Sequence, residues 1–400
     1  VRRLQSSRRR PAALLALLVG LALGLSACGG APGAHVDAAA HPQAPDDPLP
    51  LATSLQAAGG TWAVVPMGRL DQPINTFWQL LDLPAGATSW SDRVEATATA
   101  TNGGLLLAGA GRFLAVGILP STLLRFTPLI ATDDAGRSWS DGLVGTGVDA
   151  HAAALAVESP DAGLALTAGS PGGEVLSAAG SLSRWGPLLS RATLARTAAG
   201  VACDPGALTT VGYLAGRPAL GASCATPGVL GLFVETAGRW ARVPASLPSS
   251  LRSDRLEVLW YGGPASRPEA VVEASGPPGS EVVVLWAAGA ARWTVSAPLA
   301  LGPGASVGSA SPLPGGGVGL LVTDGQARAR FETVRPGGAW LAGPDAPAGT
   351  ETVAAVGGGG LEALAGAGDT LAVWSLDRSG GDWRLRQSMH VPISYGSSSS

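Results

Sequence analysis

The sequence predicts an all-β fold, a β-propeller built most simply from seven four-stranded blades, with six or eight as the alternatives. Three observations carry this. Tryptophan recurs at Trp90, Trp139, Trp185, Trp240, Trp293, Trp340 and Trp383, at intervals of 43 to 55 residues, each time after a turn of small residues. A repeat of that length in β-type sequence is the period of a propeller blade. Between these markers lie short apolar runs such as Gly104-Leu105-Leu106-Leu107-Ala108 and Glu281-Val282-Val283-Val284-Leu285-Trp286, punctuated by Asn102-Gly103 and Pro171-Gly172 turns. No amphipathic helix of useful length follows residue 50.

Along the chain, residues 1–27 read as an export signal. Five arginines fall within residues 2–10, and residues 12–25 are an apolar run. That run is short for a span of roughly 20 residues. A basic start, an apolar centre and small residues before a cut define such signals. Leu25-Ser26-Ala27-Cys28 resembles a bacterial lipobox, which implies cleavage before Cys28 and a diacylglycerol on its sulfur. Ser7-Arg8-Arg9-Arg10-Pro11 also resembles a twin-arginine signal, although Pro11 departs from it, so the export route stays open. Residues 28–50, rich in Ala, Pro and Gly, read as a disordered tether, and His35 and His41 within it as solvated. Residues 51–395 are the propeller, and residues 396–400 a low-complexity tail.

The best-formed repeat turn is Thr132-Asp133-Asp134-Ala135-Gly136-Arg137-Ser138-Trp139. A short carboxylate such as Asp134 can accept hydrogen bonds from its own turn. Gly136 permits a positive φ. Trp139 supplies a large apolar body to pack between sheets. This segment resembles the Asp-box of the sialidase-type (BNR) propellers, Ser/Thr-x-Asp-x-Gly-x-Ser/Thr-Trp, with Thr132, Asp134, Gly136, Ser138 and Trp139 at the fixed positions. The other turns, such as Ala237-Gly238-Arg239-Trp240, keep the small residues and the Trp but not the Asp. The resemblance covers roughly residues 52–392 and implies a turn on the outer rim with a structural role.

Enzymes of that family use an arginine cluster, a Tyr–Glu nucleophile pair and an Asp acid/base. Here Pro66-Met67-Gly68-Arg69 departs from the Arg-Ile-Pro motif that precedes the family's first box, and only Tyr213, Tyr261 and Tyr395 are present. None matches the nucleophile. His151 and His390 are the only histidines of the propeller, and both read as surface or rim residues. No Gly-x-Ser-x-Gly elbow, phosphate loop or clustered metal-ligand motif occurs, so neither cofactor nor metal is expected.

Composition narrows the partners. Removing residues 1–27 leaves 21 basic and 29 acidic residues, a net charge of −8, and the chain has no lysine. Phosphate backbones need a basic patch, so nucleic acid is not an expected partner. In an exported chain Cys203 and Cys224 form a natural disulfide across one hairpin. The alternative, a pair of metal ligands, lacks neighbouring His or Cys. The expected protein is a lipid-anchored, extracytoplasmic propeller at a bacterial membrane that binds a protein or glycan without catalysis. The alternative is an exo-acting, sialidase-like glycosidase.

Cys28→Ser is expected to release the protein from the membrane fraction or to leave an unprocessed precursor. Each buried lipid CH₂ contributes about 0.8 kcal/mol, so losing the acyl chains removes the anchor. Fractionation with intact-mass analysis checks this; full membrane retention at the normal mature mass would refute it.

Overall fold

The computed structural model describes residues 53–68, 76–93, 103–119, 126–143, 151–167, 172–180, 182–263, 267–277, 279–288, 292–377 and 381–392. Residues 1–52 and 393–400 lie outside the described residues, and with them the expected signal, Cys28, the tether, Tyr395 and the tail.

The described residues form a β-propeller of antiparallel meanders arranged in chain order. Among the described residues there are seven, each of four strands except the fifth, whose outer position is divided between Trp293–Val295 and Leu299–Ala300. Their inner strands are Thr53–Ala57, Leu105–Ala110, Ala152–Ser159, Pro205–Leu214, Arg255–Gly262, Ser306–Pro312 and Thr350–Ala355. The fourth and fifth meanders are joined into one nine-stranded sheet through the Ser223–Glu257 pairing. Each periodic tryptophan stands within one residue of the start of an outer strand. Trp90 precedes Ser91–Asp92, Trp139 precedes Ser140–Leu143, Trp293 opens Trp293–Val295, and Trp383 precedes Arg384–His390. The period in the sequence is therefore the period of this one position.

The core is not a single mass. Seven separate apolar clusters each fill the seam between two neighbouring meanders. A sheet packed on both faces needs apolar residues on both faces, so the middle strands read as unbroken apolar runs and not as alternation. The strand Gly60–Gly68 is buried at all but its two end residues. Near the axis the meanders converge, and small residues make room. A Cβ on Gly212 would come within 1.9 Å of the Tyr261 ring of the next meander.

Successive strands alternate in direction, which gives the ring two distinct faces. Turns that follow inner and third strands share one face, where the Ala58 N–H donates to Gly111 C=O at 2.8 Å. Turns that follow second strands, and the links between meanders, share the other. There Gly68 N–H donates to Gly368 C=O and Val391 N–H to Asp369 C=O, both at 2.8 Å.

One of those links holds two short helices, α1 (Arg191–Ala195) and α2 (Ala198–Cys203). Ser190 and Thr197 cap them by accepting from Thr193 N–H and Gly200 N–H. Elements of five and six residues carry too little periodicity to be seen in the sequence. Cys203 ends α2 and is bonded to Cys224 at the end of the strand Arg217–Cys224, so the insert is fastened to the fourth meander.

The first and seventh meanders close the ring without sharing a strand. Trp90 Nε1 donates to Glu362 Oε2 at 2.6 Å, and Arg386 pairs with the other oxygen of that carboxylate. Gln387 brackets the Trp90 backbone, accepting from its N–H at 2.8 Å and donating to its C=O at 2.9 Å. Trp90 itself is 3% exposed within the seam cluster.

Trp90→Ala is expected to destabilise the protein by about 3–5 kcal/mol, the usual cost of emptying a buried tryptophan site. Trp90→Phe keeps most of the packing but removes a donor to a buried carboxylate, and should cost about 1.5–3 kcal/mol. Chemical denaturation of both variants checks this. Equal, near-zero losses would show that the seam does not depend on this residue.

Candidate functional site

Three places on the ring hold the residues that chemistry or binding would use: the Asp134 turn, the axial mouth on the face of the inner-strand turns, and a cleft at the closing seam.

The Asp134 turn joins the third strand of the second meander, Pro128–Thr132, to its outer strand. Asp134 Oδ1 accepts from Arg137 N–H at 3.0 Å, Ser138 N–H at 2.9 Å and the Thr132 hydroxyl at 2.9 Å. Oδ2 accepts from the Ser138 hydroxyl at 2.6 Å. The Ser138 hydroxyl and N–H, with the Thr132 hydroxyl, hold this carboxyl well below the usual carboxylate range. Thr132 Oγ1 also accepts from Gly136 N–H at 3.0 Å. Gly136 has φ +77°, and a Cβ there would meet the Trp62 ring at 2.8 Å. Trp139 stands edge-on to Trp62 of the first meander, with centroids 5.9 Å apart and planes at 87°. The carboxylate's bonds are thus made within its own turn, and the turn docks against the neighbouring meander.

At the axial mouth, Glu158 and Tyr213 stand near the ends of adjacent inner strands, both half-buried. Tyr261 follows on the next inner strand and donates its hydroxyl to the Tyr213 C=O at 2.9 Å. Burial, and then the Glu158 carboxylate, push both phenols upward; for Tyr261, Arg217 opposes this. Burial likewise raises Glu158. A tyrosine nucleophile needs its proton removed in the reaction. Here the phenols are made harder to ionise, and the Tyr261 proton is already committed to the seam.

Other acids are shaped by burial. Glu269, fully buried, accepts from Gly317 N–H at 2.8 Å across the fifth seam and is pushed up to about 7. Glu351, on the inner strand of the seventh meander, is pushed up to about 7 by burial alone. Glu257 and Glu273 are direct cross-strand partners, and burial followed by repulsion from Glu273 raises Glu257. Among the described residues no group of His, Cys, Asp or Glu is arranged to hold a metal ion.

The two histidines differ from one another. His390 is exposed beside Asp369, with Nδ1 to Oδ2 at 3.5 Å, as a rim residue would be. His151 is only 9% exposed, contrary to the sequence expectation. It directly precedes the inner strand Ala152–Ser159.

The cleft has a volume of about 470 Å³ and opens on the face of the inner-strand turns, across the seam of the first and seventh meanders. Gln56, Thr61 and Arg386 are its polar side chains, and Leu83, Pro84 and Val356 are among its apolar walls. None of these residues lies in a repeat motif, so nothing in the sequence marked them out.

No known family's model matches this chain, and no curated protein matches it. Solved structures do. A protein from Lactobacillus plantarum aligns at 12% identity and a TM-score of 0.50, over 83% of this chain and 97% of its own. The GH74 enzyme of Niastella koreensis aligns at 12% identity and a TM-score of 0.50, over 84% of this chain but only 54% of its own. At such identities the likeness is one of fold.

Asp134→Ala is expected to lower the unfolding midpoint modestly. Trp139→Ala should lower stability further, by up to about 3 kcal/mol, because the half-buried ring packs on Trp62. Neither should change ligand binding by folded protein. Denaturation beside a binding assay checks both. Loss of binding by Asp134→Ala at an unchanged midpoint would make the turn a functional site.

Proposed function

We propose that this chain is a membrane-tethered, extracytoplasmic β-propeller that acts as a non-catalytic binding or scaffold module for a protein or glycan. The tether rests on the Leu25-Ser26-Ala27-Cys28 resemblance and the apolar run before it. The observation that carries the binding role is the seam cleft. It is concave and is carried on rigid strand ends. Its lining is turn backbone, apolar walls and a few polar side chains, a surface for contact and not for bond breaking. Its lining side chains include no carboxylate, cysteine, histidine or tyrosine.

The direction of the tyrosine shifts supports the same reading. A sialidase-like nucleophile pair would join Tyr213 or Tyr261 to a carboxylate base by a hydrogen bond. Tyr261 instead donates to a backbone carbonyl, and no hydrogen bond joins Tyr213 to Glu158. Asp134, the most acidic carboxyl of the resemblance, is engaged by its own turn.

The test uses the full chain, extracted in detergent and immobilised, against a glycan array and against an extracellular protein fraction, with a fluorogenic panel of exo-glycosidase substrates alongside. The expected result is saturable, reversible binding in one of the first two and no turnover in the third. Turnover that is lost in a Glu158→Gln variant of unchanged stability would replace this reading with the glycosidase.

A further inference from the structure

The seam cleft is also where the ring is fastened, and its hydrogen bonds show what would fill it. Gln56 Nε2 donates to Ala355 C=O at 3.2 Å, from the first meander to the seventh. The Thr61 hydroxyl reaches the same carbonyl at 3.5 Å. Arg386 lines the cleft from the seventh meander while pairing with Glu362, which in turn holds Trp90 of the first. Gln56, Thr61 and Arg386, which line the cleft, therefore also help to tie the two ends of the ring together.

Charge and shape then select the occupant. Glu362 is 1% exposed and neutralises Arg386, so the cleft has no net charge to attract an anion. No aromatic ring lines it, so a sugar or base has no face on which to stack. The remaining polar groups are the second Gln56 amide atom as an acceptor, the outer guanidinium N–H groups as donors, and the turn backbone at Gly86 and Gly357. Donors and acceptors mixed along an apolar groove match a peptide main chain with small apolar side chains.

We infer that the cleft takes an extended, uncharged peptide segment of a partner protein, and that this segment, by touching both terminal meanders, clamps the ring shut. The inference rests on the binding-module reading above and narrows it. A ligand that binds only the closed ring stabilises that state by mass action. Occupancy should therefore appear as a rise in unfolding temperature as well as an affinity.

The experiment pans a phage-displayed library of random dodecapeptides against the full chain in detergent and measures the selected synthetic peptides by calorimetry and thermal denaturation. Two variants accompany the wild type. Ala87→Trp places a bulky ring at the cleft from an exposed turn. Gln56→Ala removes one polar partner. The expected peptides lack acidic and basic residues in their shared core and bind Ala87→Trp at least tenfold more weakly. They should also raise the wild-type unfolding temperature by roughly 4 °C at a hundredfold excess over Kd. Gln56→Ala, the milder change, should weaken binding severalfold and keeps the test valid if Ala87→Trp folds poorly.

A selection that enriches nothing, or enriches a charged motif, overturns the inference. So does undiminished binding to both variants. Binding without thermal stabilisation overturns the clamp. If the glycan array or protein fraction yields a partner whose affinity Ala87→Trp leaves unchanged, the module reading stands and the cleft assignment alone falls.

Discussion

A ring of packed sheets depends on its last seam. Six of the seven seams join meanders that follow one another in the chain, so the covalent link brings their faces together. The seventh joins residues nearly 300 positions apart, such as Trp90 and Gln387. If it opens, two apolar sheet faces meet water and their cluster of buried residues is lost. The closure found here is noncovalent, and its side-chain contacts include one tryptophan, one ion pair on a buried carboxylate and one glutamine that mimics a strand partner. Glu362 is the buried member, so removing its donors is costly, because a buried charge is then left uncompensated. That dependence suits a fastening that must adopt one register and no other.

The same geometry limits what chemistry the ring can hold. Convergence of inner strands at the axis buries what lies there, and burial raises the pKa of acids and phenols alike. Glu158, Glu269, Glu351, Tyr213 and Tyr261 all move upward. Among the described residues the turn carboxylates Asp134 and Asp324 move down, Asp134 held first by the Ser138 hydroxyl and then by its N–H, Asp324 by the N–H groups of Arg328 and Gln326. The first group is a by-product of packing and the second of turn closure, so a perturbed titration here reports architecture before it reports function.

The fold was legible in the sequence for a specific reason. The seven tryptophans occupy one equivalent position at the start of the outer strands, so a local constraint recurs at a fixed interval. Cys203 and Cys224 were legible because they bracket a single hairpin, and the structure joins them. The cleft and the clasp were not. Gln56, Thr61, Glu362 and Arg386 follow no period, and the contacts that give them meaning span up to 299 positions. His151 was misread for a related cause, since exposure near the axis is set by neighbouring meanders and not by local composition. The two helices of the insert, at five and six residues, were too short to leave a pattern.

The alternation of strands has a consequence for presentation. The first inner strand begins, and the last outer strand ends, on the face that carries the links between meanders. The cleft opens on the opposite side. A segment joined ahead of Thr53, or behind Arg384–His390, therefore starts from the face opposite the cleft.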